Sequence, residues 1–207
     1  MIESTVNAFQ LGTTGFCTCW SLVSALKSGK RPWLLLALAS GVFFLGDLYW
    51  QLYLLFYGMT PPYSYIPYLS WNASYVFLFL LIQDVRGLRS RVPYSRVLWL
   101  APLFSAGMFV FYMQRGDWIG NIVSSILMCL LLWYAGDCLF LWRNPNKRGK
   151  RPLAWILLGF CLIEYAVWTS SWFWVDDTLR NPYFWFDALL SVSFLLFPFA
   201  LRKAVDA

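Results

Sequence analysis

The chain reads as seven long apolar runs separated by short polar or turn-rich stretches: residues Ala8 to Leu26, Trp33 to Tyr57, Tyr65 to Ile82, Val97 to Met113, Trp118 to Trp142, Leu153 to Trp174 and Tyr183 to Leu201. A helix crossing a ~30 Å hydrocarbon core needs roughly 20 residues, and every run approaches that length. The pattern predicts an all-α, single-domain bundle of seven transmembrane helices. The fourth run is the shortest, and Gly12, Thr13, Thr14 and Gly15 interrupt the first. That first run has no basic leader or A-x-A-like cleavage site and is followed by a basic flank, so it is read as a retained helix. Pro32, Pro152 and Pro182 stand just before apolar runs, where a missing N–H costs least and the fixed φ suits a first helical turn.

Charge turns this pattern into a topology. Fourteen of the sixteen Lys and Arg residues lie in four stretches, Lys27 to Arg31, Arg86 to Arg96, Arg143 to Arg151 and Arg202 to Lys203. The intervening loops carry only Arg115 and Arg180. Positive charge is retained on the cytoplasmic side during insertion, so the N-terminus is expected outside and the C-terminus inside. The net charge of +6 would in isolation suit a nucleic acid. Its placement instead assigns the cations to orientation and to anionic lipid headgroups, and no nucleic-acid partner is expected. With 60% hydrophobic and only 13% charged residues, the composition also excludes an ordinary soluble core. A bacterial inner membrane or a plasma membrane is the expected location.

Histidine is absent, which removes imidazole metal sites and every His-dependent catalytic triad. Cys17, Cys19, Cys129, Cys138 and Cys161 all fall inside apolar runs and read as buried small hydrophobes, with no disulfide framework or zinc spacing. No metal or cofactor is implied. Asp176-Asp177 in an outer loop lacks the further oxygen ligands a calcium site needs. Asn72-Ala73-Ser74 spells a glycosylation sequon, but within a membrane run.

The candidate chemistry lies in the acids. Asp47, Asp137, Glu164 and Asp187 fall within membrane runs, where ionisable groups are costly and usually face a bundle interior or a wet cavity. Counting along each helix puts Asp47 and Glu164 near or outside the midplane and Asp187 about one turn below the outer surface. Asp137 falls toward the cytoplasmic end of the fifth helix. Helical spacing gives each its neighbours: Asp47 with Trp50 and Gln51, Asn72 with Tyr68 and Tyr75, and Glu164 with Cys161, Trp168 and Ser171. No intramembrane Lys or Arg is near enough to neutralise them, leaving Tyr, Trp, Asn72 and Gln51 as donors. Structural glue between helices is the competing role for Asp47, Glu164 and Asp137, and a plain interfacial position is the competing reading of Asp187. Aromatic residues make up 21% of the chain, and beside carboxylates they suit a flat, apolar or cationic small ligand.

Two further patterns bear on function. Gly29-Lys30-Arg31-Pro32 recurs as Gly149-Lys150-Arg151-Pro152, and Pro62-Tyr63 recurs as Pro182-Tyr183 at the same offset, as a parallel three-plus-one-plus-three repeat requires. The stretch Gly46-Asp47-Leu48-Tyr49-Trp50, with Pro61-Pro62, Ile66-Pro67-Tyr68-Leu69 and Tyr75 after it, resembles helices two and three of bacterial multi-helix membrane sensory domains fused to cyclic-di-GMP signalling modules. The resemblance covers residues 40–82 and implies a small-molecule sensing or binding module. Such regions normally precede an output domain, whereas this sequence stops six residues after Leu201, which implies signalling through a partner protein.

In its ingredients, intramembrane acids and aromatic surfaces, the chain is also similar to small seven-helix membrane terpene cyclases. There Asp47, Glu164 or Asp187 would protonate an alkene or epoxide while aromatic faces stabilise the carbocation. Trp50-Gln51-Leu52 is similar to their Trp-Glu pattern, but Gln51 cannot donate the proton. A proton-coupled small-molecule transporter is the third expectation, favoured by midplane acids and the repeat. The site expected in all three readings comprises Asp47, Trp50, Gln51, Tyr68, Asn72, Tyr75, Glu164, Trp168 and Asp187, in the outer half of the bundle.

Overall fold

A computed structural model describes residues 2–61, 65–87, 96–114, 118–141, 145–174 and 176–206. Pro62, Tyr63, Arg115, Trp142, Arg143 and most of the Arg86 to Arg96 stretch lie outside the described residues. Seven α-helices are described: α1 (Ile2–Ser28), α2 (Arg31–Tyr57), α3 (Tyr65–Arg86), α4 (Leu100–Met113), α5 (Trp118–Leu141), α6 (Arg151–Phe173) and α7 (Pro182–Val205). Several run a turn or more past the apolar runs, because a backbone already hydrogen-bonded in the apolar layer continues helically into flanking polar residues. The fourth run differs: its first residues form a 3-10 turn, Arg96–Trp99, before α4 begins.

Six of these segments are long and apolar enough to cross a membrane, the fourth only when its 3-10 turn is counted. α1 is not among the six. It is long enough, but Glu3, Asn7, Gln10, Thr14, Cys17 and Ser21 recur at alternating steps of three and four, a polar stripe along one helical face. Gln10, Thr14, Cys17 and Ser21 are buried, so α1 lowers its hydropathy on the side turned inward.

The outside is apolar. Leu55, Phe56, Leu69 and Leu103 are each more than 70% exposed, an apolar exterior that only a lipid solvent makes inexpensive. With six apolar spans, it marks a multi-pass integral membrane protein.

Neighbouring helices close a ring in the order α1, α2, α3, α5, α6, α7, and α4 packs outside it against α5. Close approach between α1 and α2 depends on small residues: Gly41 lies against Thr18, and Gly15 against Phe44. The Thr18 hydroxyl donates to Ser40 Oγ at 3.0 Å across that contact. Inside the ring, Phe160 packs edge-on to Phe43, Phe194 and Phe197, and Phe43 and Phe194 meet at a tilt with centroids 4.8 Å apart.

The two ends of the bundle differ in chemistry. One end gathers the starts of α1, α3 and α7 and the finishes of α2 and α6; we call it the acidic end. At the opposite, basic end, Arg86 Nη2 pairs with Asp137 Oδ2 at 2.6 Å, and its guanidinium lies 5.3 Å from the Tyr134 ring centroid. The expectation that no cation reaches the membrane acids therefore fails for Asp137, because the last residue of α3 is long enough to reach back to it. Lys30 pairs with Asp206 at 3.7 Å, and Lys150 Nζ donates to the Val85 carbonyl at 3.2 Å.

The repeated Gly-Lys-Arg-Pro strings do not share a backbone. Gly29 has φ +65° and closes α1, whereas Gly149 belongs to a 3-10 turn. Cysteine placement also departs from expectation: Cys17, Cys138 and Cys161 are buried, but Cys129 is only partly so and Cys19 is exposed on α1.

Candidate functional site

Asp47, Glu164 and Asp187 come from α2, α6 and α7 and line one cavity of about 450 Å³ at the acidic end. They are 7%, 2% and 3% exposed. The three carboxylates are near enough to act on one another electrostatically. Helix geometry brings them together, since each sits a few turns or less from the acidic end of its own helix and α2, α6 and α7 face the same interior.

Each acid has a different support. Trp71 Nε1 donates to Asp47 Oδ1 at 3.0 Å, and the contact depends on Gly46. A Cβ at Gly46 would lie 2.9 Å from Ser70 Cβ and 3.3 Å from Trp71 Nε1, so only glycine lets α3 come close enough for the indole to reach. Gln10 Nε2 donates to Asp187 Oδ1 at 2.9 Å, tying α1 to α7. The Tyr75 phenol lies beside Glu164 but outside hydrogen-bonding geometry. Asn181 caps α7 by accepting the Tyr183 N–H at 2.9 Å and holds the preceding loop through Asp176, fixing the mouth near Asp187.

What is unsatisfied matters more. Asp47 Oδ2, Glu164 Oε1 and Asp187 Oδ2 are buried without a hydrogen-bond partner among the described residues. Buried acceptors are normally paired, and an unpaired one costs about 1–3 kcal/mol. Among the described residues, no Lys or Arg lines the cavity. Its walls are largely aromatic, with Trp50, Tyr68, Trp71, Trp168, Trp174 and Tyr183 around the acids. The floor is Phe43, one turn below Asp47, backed by Phe160, one turn below Glu164, and by Phe194.

Of the residues expected from sequence, Asp47, Trp50, Tyr68, Glu164, Trp168 and Asp187 line this cavity. The other three are placed elsewhere. Asn72 joins α3 to α5, accepting from Ser124 Oγ at 2.9 Å and donating to the Tyr68 carbonyl. Gln51 accepts from Asn7 Nδ2 at 3.3 Å between α1 and α2. Tyr75 packs behind the cavity against Trp168 and Phe160. Gln10, Trp71 and Asn181 line it without having been singled out from sequence, as does Tyr183, noted there only for the Pro-Tyr repeat and the start of the seventh run. For Gln10 the polar stripe of α1 was the available signal; Trp71 falls four residues from Pro67 and shows nothing in sequence that separates it from packing tryptophans.

Fold and cavity together define a class: an all-α, multi-pass membrane bundle with a carboxylate-bearing, aromatic-walled interior site. Compared with family models, curated proteins and solved structures, the chain matches none. The functional reading therefore rests on the chemistry of the cavity.

Proposed function

We propose that this protein is a seven-span integral membrane module, N-terminus outside and C-terminus inside, that binds a small organic cation in the acidic cavity and passes the bound state to a partner protein. The observation that carries this reading is the set of three buried carboxylate oxygens without donors among the described residues, facing one aromatic cavity whose described lining holds no Lys or Arg. An ammonium group supplies what those oxygens lack, and indole faces attract the same charge through their quadrupoles. The volume suits a small molecule and is too small for a lipid tail and headgroup together.

α1 is the seventh span in this reading. Its 27 residues extend about 40 Å, and its polar face is covered by α2 and α7. The charge bias of the loops then puts the cavity in the outer half. A three-plus-one-plus-three organisation draws support from neighbour order, since consecutive helices pack together in α1–α3 and again in α5–α7 with α4 outside the ring. The phenylalanine floor supports binding over transport, because it fills the interior between the cavity and the basic end.

Thermal unfolding of purified protein against a panel of alkylammonium compounds and their uncharged isosteres tests the reading. Stabilisation by the cations alone is the expected result, and it weakens as pH falls because protonated acids no longer attract a cation. Equal response to charged and neutral members would overturn it.

A further inference from the structure

At the basic end, α4 and α6 part. Toward the acidic end they are held together: the Tyr112 hydroxyl donates to the Tyr165 carbonyl at 3.0 Å, and Tyr165 donates to Ser105 Oγ at 3.4 Å. Below Phe104, which packs edge-on to Tyr165, no hydrogen bond joins the two helices among the described residues. An apolar groove of about 970 Å³ opens there between α4, α5 and α6. Gly136 of α5 keeps its wall low, since a Cβ there would meet Leu98 at 3.3 Å.

Along α6 the groove is lined by Arg151, Trp155, Leu158 and Leu162. These recur at steps of four, three and four, one face over three turns, which spans about 16 Å. That is close to half of a ~30 Å hydrocarbon core, the depth of one leaflet. Among the described lining residues Arg151 is the only charged one, and it stands at the end of the groove nearest the basic flank. Its Nε–H is buried and has no partner, and no ion pair forms with it among the described residues. An apolar trough one leaflet deep, ending at the basic flank in a guanidinium unpaired among the described residues, complements the shape and charge of a phospholipid, with the chain along the trough and the phosphate at Arg151.

We propose that an anionic phospholipid occupies this groove, its phosphate held by Arg151 and one acyl chain lying along α6 between α4 and α5. A guanidinium pairs with a phosphodiester through parallel N–H···O bonds, and the pair is strongest for a lipid whose phosphate charge is not offset by a cation in its own headgroup. A second copy of the chain is the less suitable occupant: packed through the same face about a twofold axis, it would bring Arg151 toward its own counterpart in an apolar setting. The bound lipid would complete the packing of α4, the helix outside the ring, without involving the acidic cavity.

Native mass spectrometry of the full chain, released from micelles containing phosphatidylglycerol or phosphatidylcholine, provides the test. One phosphatidylglycerol per protein should survive activation that strips phosphatidylcholine. Arg151→Gln should weaken that retention about tenfold or more, the loss of a charge-assisted pair, and Arg151→Lys should restore part of it. Because Arg151 has no partner among the described residues, the substitution is expected to leave folding intact, which circular dichroism checks. Leu162→Trp, which fills the groove without touching the charge, should also expel the lipid, whereas Arg202→Gln should not. Equal retention of both lipids, undiminished retention in Arg151→Gln, or a dimer that persists without lipid would overturn the proposal. So would inorganic phosphate that displaces the lipid at equal concentration, since the chain would then contribute nothing.

Discussion

Carboxylates at the two ends of the bundle are treated in opposite ways. At the basic end, Asp137 meets Arg86, Asp206 meets Lys30 and Asp84 lies 4.0 Å from Arg31. At the acidic end, Asp47, Glu164 and Asp187 are more deeply buried, yet among the described residues their hydrogen-bond donors are an indole and an amide alone. The same side-chain chemistry is thus latched in one place and left open in the other. Pairing carries the distinction: an acid with its own cation holds helices together, and an acid with spare lone pairs in a cavity is free to bind something else.

The largest effect should come from breaking a latch. Arg86→Gln leaves Asp137 unpaired in a mostly buried position and should lower unfolding stability by about 3 kcal/mol. Cation affinity should change little, and chemical unfolding in micelles beside ligand titration would separate the two. If Arg86→Gln abolished binding while leaving stability untouched, the division between the ends would be wrong.

Next in size is Gly46→Val. Its branched side chain would enter the space of Ser70 and Trp71, costing roughly 1–3 kcal/mol and pushing the indole off Asp47. Weakened binding should accompany that loss of stability, in contrast to Arg86→Gln. Trp71→Phe is milder, keeping most of the ring but removing the donor to Asp47, and should cost about 1–2 kcal/mol. Its tryptophan fluorescence should also lose a ligand-sensitive component. The smallest effect is expected from Thr18→Val, which removes the hydrogen bond to Ser40 on the α1–α2 contact and should cost about 0.6 kcal/mol with no change in binding.

The difference between the ends was partly legible in the residues themselves. The apolar runs foretold the helices, because length and hydrophobicity are local properties, and the depth count separated Asp137 from the other three acids. Convergence of those three was expected from depth and polarity, but the arrangement that brings it about, the ring order of the helices, is a tertiary fact with no local trace. Arg86 illustrates the limit: it reads as a loop cation, yet its long side chain reaches Asp137 on another helix. Asn72 shows the converse. Its polarity at membrane depth drew attention, but α3 is rotated so that the amide meets Ser124 on α5. The indole of Trp71 reaches Asp47 through the absence of a Cβ at Gly46, a signal only backbone proximity reveals.

Direct titration with choline and with its uncharged dimethylbutanol isostere, by calorimetry on protein in nanodiscs, tests the central claim most closely. Wild type and Asp137→Asn should bind the cation and not the isostere. The Asp47→Asn, Glu164→Gln double variant should lose at least about tenfold in affinity, since neutral amides keep the size of the acids and remove their charge. Loss of binding in Asp137→Asn equal to that in the double variant, at matched thermal stability, would contradict the account and return the three cavity acids to a structural role.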